Sequence, residues 1–62
     1  MRFAITDNLM IDLREVAMMT YDNRGLYITF KNNGIRNDFT GMTEKQKVDL
    51  FEMYKKYCLD MC

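Results

Sequence analysis

The chain of 62 residues has no histidine, no proline and no tryptophan, only three glycines and two cysteines, and no long apolar run. Without histidine it lacks the commonest general base and the commonest metal ligand. Thr6, Thr20, Thr29, Thr40 and Thr43 have no imidazole to activate them, which excludes a histidine-based hydrolase triad. Gly25, Gly34 and Gly41 stand singly at turn positions, so there is neither a phosphate-binding loop nor a dinucleotide fingerprint. No stretch approaches the roughly 18 apolar residues of a membrane-spanning helix. The first six residues lack the apolar core of a signal peptide, and the expected location is the cytoplasm.

Cys58 and Cys62 fall four residues apart on one helix, where disulfide torsion is poor, and a secreted mini-protein would spread more cysteines along its length. They read as reduced thiols. Two such pairs from two chains would make a four-cysteine zinc site, but structural zinc usually comes with paired knuckles, so neither metal nor cofactor is expected. Asp12 and Glu15 are the nearest approach to a catalytic carboxylate pair. They flank Leu13-Arg14 at a strand junction and read as a solvated edge. The chain is therefore expected not to be an enzyme.

Nearly half of the residues are apolar, which places the chain far from disordered composition. A domain this small buries only roughly 60% of its unfolded-chain surface, so self-association as a homodimer is expected. Nine basic residues balance nine acidic ones. Duplex nucleic-acid binders carry a basic footprint, and the neutral balance weighs against that class.

Alternation marks the first half of the chain. Strands are expected at 2–5, 9–13 and 15–21, with a turn at Asp7-Asn8 between the first two. In the third, Val16, Met18 and Thr20 share one face while Ala17, Met19 and Tyr21 share the other. Asp22-Asn23-Arg24-Gly25 is a turn. The clearest strand follows it, with Leu26, Ile28 and Phe30 inward and Tyr27, Thr29 and Lys31 outward. Asn32-Asn33-Gly34 predicts a tight hairpin before a last strand from Ile35 to Phe39.

Thr43-Glu44-Lys45-Gln46 is a capping box, which starts a helix over about 43–60. Its 100° step gathers Leu50, Phe51, Tyr54, Tyr57, Cys58 and Met61 on one face, opposite Asp49, Glu52, Lys56 and Asp60. The expected fold is α+β: one domain over 1–62, with a small antiparallel β-meander packed against a single C-terminal helix and one sheet face uncovered.

Ile11-Asp12-Leu13-Arg14-Glu15-Val16, the strand Leu26 to Lys31 and the capped C-terminal helix together resemble the C-terminal half of bacterial pleckstrin-homology-like domains. The likeness spans roughly Ile11 to Tyr57 and lacks the further strands that close that family's barrel. It implies a binding module and transfers no ligand-binding residue.

Seven methionines are a large share of the chain, and methionine surfaces adapt to partners. By simple alternation Met19 and Tyr21 fall on the uncovered face. Arg24, Tyr27, Lys31 and Arg36 join them there or at its rim. Tyrosine, methionine and arginine are the residues that protein interfaces concentrate. The bland alternative is ordinary cross-strand pairing on a wet sheet face. These features point to a non-catalytic regulatory module that binds another protein stoichiometrically, the kind of chain that phages and mobile elements use to block a host protein. The rival is a single-stranded nucleic-acid binder that stacks bases on Tyr21 and Tyr27 and contacts phosphate through Lys31 and Arg36.

Overall fold

The alternation of Leu26, Ile28 and Phe30 with Tyr27 and Thr29 builds the central strand, and the other elements are arranged about it. In the computed structural model, residues 3–5 and 9–61 are described. The elements are β1 (Phe3–Ile5), β2 (Met10–Asp12), a single 3-10 turn (Leu13–Glu15), β3 (Val16–Tyr21), β4 (Gly25–Phe30), β5 (Arg36–Thr40) and α1 (Glu44–Met61). The expected turn at Asp7-Asn8, together with Arg2 and Cys62, lies outside the described residues. The α+β arrangement of antiparallel strands and one C-terminal helix stands.

The strands divide into two antiparallel sheets, the pair β1-β2 and the triplet β3-β4-β5. The expected run of strand from Leu9 to Leu13 is cut short by Asp12. Its carboxylate Oδ1 accepts the Arg14 N–H at 3.1 Å and caps a 3-10 turn, which takes the backbone out of extended geometry before β3 begins.

Ala4 pairs with Ile11 across the small sheet. Both are buried in one core with Leu13, Val16, Met19, Leu26, Ile28 and Leu50. The β1-β2 pair and α1 thus share the same inner face of the triplet. Burial of one such valine, leucine, isoleucine or methionine contributes roughly 1.5–3 kcal/mol, so these seven side chains, with Ala4 between them, carry most of the driving force of so short a chain.

Glycine is required at two kinds of place. Gly34 has φ +68°, and its N–H closes the β4-β5 loop on the Phe30 carbonyl at 3.0 Å. Gly25 has a different reason. It opens β4 beside β5, and a Cβ there would lie 2.5 Å from the Phe39 carbonyl oxygen. The β3-β4 turn before it is held by Asp22, whose Oδ1 accepts the N–H groups of Arg24 (2.8 Å) and Gly25 (3.2 Å).

The helix begins with the reciprocal bonds of a capping box. Thr43 Oγ1 accepts the Gln46 N–H at 3.2 Å, and Gln46 Oε1 accepts the Thr43 N–H at 3.1 Å. Leu50 is fully buried, and Phe51, Tyr54, Tyr57 and Cys58 are half-buried, as the helical step requires. Met61, expected on the same face, is exposed, as is its neighbour Leu59. The stripe also carries Lys47 one turn before Leu50, and its side chain is only 2% exposed. The ammonium donates to the Asp22 carbonyl at 2.6 Å and pairs with Glu44 Oε1 at 2.7 Å, which satisfies the charge where it is buried.

Candidate functional site

The uncovered face of the triplet is decided by one residue in β3. Val16 pairs with Phe30 and Met18 with Thr29, so Ala17 is inserted between them as a β-bulge. Past the bulge the side-chain alternation is shifted by one. Val16, Met19 and Tyr21 point inward, whereas Met18 and Thr20 point to the open face beside Thr29 and Tyr27, their register partners.

This corrects the placement expected from uninterrupted alternation. Met19 is 4% exposed and belongs to the core, not to the open face. Tyr21 also turns toward the helix, where its ring meets Phe51 edge-on with centroids 5.1 Å apart. Met18 takes the position assigned to Met19 and is 55% exposed. The spacing Val16…Met19…Tyr21, three residues and then two, is the trace of the bulge in the sequence.

Tyr27 is the centre of the open face. Its hydroxyl donates to Asp22 Oδ1 at 2.8 Å, which raises the phenol pKa, and the same bond together with the Arg24 and Gly25 N–H groups lowers that of Asp22. The largest single cause for Asp22 is the Arg24 N–H. The Arg36 guanidinium carbon lies 4.8 Å from the Tyr27 ring centroid, a cation–π contact. Arg36 is held there by Asp38, with Nε–Oδ1 at 2.9 Å and Nη2–Oδ2 at 3.3 Å. The fork geometry of the guanidinium suits this double contact.

Of the residues proposed from sequence, the fold therefore brings Tyr27 and Arg36 together and sets Arg24 in the adjoining exposed turn. Lys31 is exposed just beyond β4, where its N–H donates to the Glu15 carbonyl at 2.8 Å. Met19 and Tyr21 leave the set. Met18 and Asp38 enter it, the second on a strand whose register only the structure supplies.

Two open grooves border β5, one of them between it and β2. One of about 400 Å³ is lined by residues that include Ile11, Asp12, Glu15, Asn37 and Phe39. Asp12 and Glu15 thus border a groove that is open to solvent, not a deep cleft. Asp12 Oδ2 also lies 3.4 Å from Arg14 Nη2, so its carboxylate is engaged on the turn it caps. The other groove, about 370 Å³, is lined by Leu9, Asp38, Phe39, Thr40 and Met42.

On α1, Tyr54 donates its hydroxyl to the bulged Ala17 carbonyl at 3.4 Å. Burial, and then the hydrogen bond with Cys58, raises its pKa. Among the described residues no three of His, Cys, Asp or Glu gather as metal ligands, and no helix is long and apolar enough to cross a membrane. No protein-family model, curated protein or solved structure matches the chain.

Proposed function

We propose that the protein is a non-catalytic binding module that acts stoichiometrically on another protein through the open face of β3-β4-β5. The observation that carries this reading is the pairing of an exposed methionine with a fixed aromatic–guanidinium stack. The bulge delivers Met18 to the face, and Asp38 holds Arg36 over Tyr27. A flexible thioether beside a rigid, already ordered aromatic and arginine pair loses little conformational freedom on docking. Arginine and tyrosine are also the residues that most often dominate such contacts.

The same geometry weighs against the stacking of nucleic-acid bases. Arg36 occupies a face of the Tyr27 ring, and the carboxylates of Asp22 and Asp38 stand beside it, where a phosphate backbone would meet like charge. Tyr21 is turned away toward Phe51.

The test is affinity capture from a lysate of the source organism, with and without nuclease, using wild-type bait, Met18→Asp and, as a control on the helix surface, Leu59→Asp. The expected result is a nuclease-resistant protein lost with Met18→Asp and kept with Leu59→Asp. Capture that disappears with nuclease and falls steeply with added salt would replace this reading with the nucleic-acid one.

A further inference from the structure

The triplet ends in two different edges. Along β3 the ladder is interrupted by the bulge at Ala17, whose carbonyl is already taken by the Tyr54 hydroxyl. The register of β5 on β4 is unbroken from Arg36 to Thr40, and no described strand lies on its far side. Unprotected regular edges are templates for pairing with another chain, and β5 has no bulge and no proline to blunt it.

Which backbone groups face outward follows from parity. The Gly25 carbonyl accepts the Asp22 N–H and the Lys31 N–H donates to the Glu15 carbonyl, so these alternate residues of the central strand bond toward β3. Leu26 and Ile28 then bond toward β5, where their register partners are Phe39 and Asn37. Arg36, Asp38 and Thr40 are left with N–H and C=O groups directed away from the sheet.

We propose that β5 pairs antiparallel with β5 of a second copy about a two-fold axis at Asn37. In that register Arg36 of each copy lies directly opposite Asp38 of the other, and the two residues exchange both backbone hydrogen bonds. Sliding the axis to Asp38 or to Arg36 places identical charges face to face, which like-charge repulsion disfavours. Within one chain Arg36 and Asp38 are already 2.9 Å apart. The dimer makes them a four-charge array in which each charge has opposite charges as its neighbours along and across the strands.

The other side of the strand fits the same register. Ile35, 61% exposed, precedes β5 by one residue and falls by alternation on the side of Phe39. It arrives opposite Phe39 of the second copy, beside the groove that Phe39 forms with Leu9 and Met42. The result is a continuous six-stranded sheet from two triplets, with both open faces on one side.

The inference stands apart from what the open face binds, and Met18→Asp is expected to leave the dimer intact. Sedimentation of the full chain over a concentration series should show twice the 7.5 kDa chain mass. Arg36→Asp and Asp38→Arg should each weaken the dimer by roughly tenfold or more, because each sets like charges opposite one another twice. Mixing the two variants should restore it as a heterodimer, and a chain carrying both changes should restore it as a homodimer. Far-UV circular dichroism first confirms that each variant is folded; where a single change unfolds the chain, the doubly changed chain supplies the test. A wild type that stays monomeric throughout the series, single variants that dimerise as well as wild type, or a doubly changed chain that does not dimerise would overturn the proposal.

Discussion

The two faces of the three-stranded sheet are made by the same strands, yet one is a dry core and the other a polar surface. Met18 and Met19 show how little separates them. They are identical neighbours, and one is 55% exposed while the other is 4% exposed, because Ala17 shifts the alternation just upstream of them. A face is therefore a property of phase, and one inserted residue sets it.

The largest expected difference is between those two methionines. Met19→Ala should cost about 2–5 kcal/mol, through lost burial and the cavity left among Val16, Ile28 and Leu50, whereas Met18→Ala should stay within about 0.5 kcal/mol. Chemical denaturation of the pair measures both, and equal losses would show that the faces are not distinguished in this way. Deleting Ala17 sharpens the comparison. Val16, Met18, Met19, Thr20 and Tyr21 then alternate without interruption and keep their faces, so the fold should survive with a loss of about 1 kcal/mol, set by the Tyr54 hydrogen bond that goes with the bulge. Exposure of Met19 in the deletion variant, read by its oxidation to sulfoxide, would contradict the phase argument.

The smallest effect expected is in acid and belongs to the open face. The Asp22 carboxyl has a folded pKa below its ordinary value of 3.8. Its contribution to stability is fully present above that value and is lost as the pH falls through the lowered one. Asp22→Asn should flatten the stability profile below about pH 4, with Tyr27 losing its charged acceptor at the same time. A wild-type profile identical to that of the variant would remove Asp22 from the acid response.

The parts legible in the sequence are those fixed by neighbours in the chain. The capping box at Thr43, the turn at Asp22 and the alternation of Leu26, Ile28 and Phe30 each depend on residues within a few positions, and each forms as the sequence implies. The bulge was not legible as such, because Val16-Ala17-Met18-Met19 is apolar on both faces and leaves the phase of β3 open. The place of Lys47 was hidden for a related reason. A lysine on an apolar stripe reads as a solvated interruption, and its acceptor is 25 residues away. Of the candidate surface, Tyr27 and Arg36 were visible as types, but their stacking depends on a register that alternation alone does not set.

That distant bond has a consequence for how the chain reaches its fold. The Lys47 ammonium brings Glu44 with it on the helix but gains its second partner only where the Asp22 carbonyl waits for it, and that carbonyl is in place only once the β3-β4 turn has closed. A helix docked on an unfinished hairpin would bury the ammonium with Glu44 of its own helix as the one partner in place, and a finished hairpin without the helix would lose the Leu50 side of the cover over Leu26 and Ile28. Neither half is a comfortable stopping point. A single buried amine thus ties the two ends of the core into one cooperative unit, so that sheet and helix form, and come apart, together.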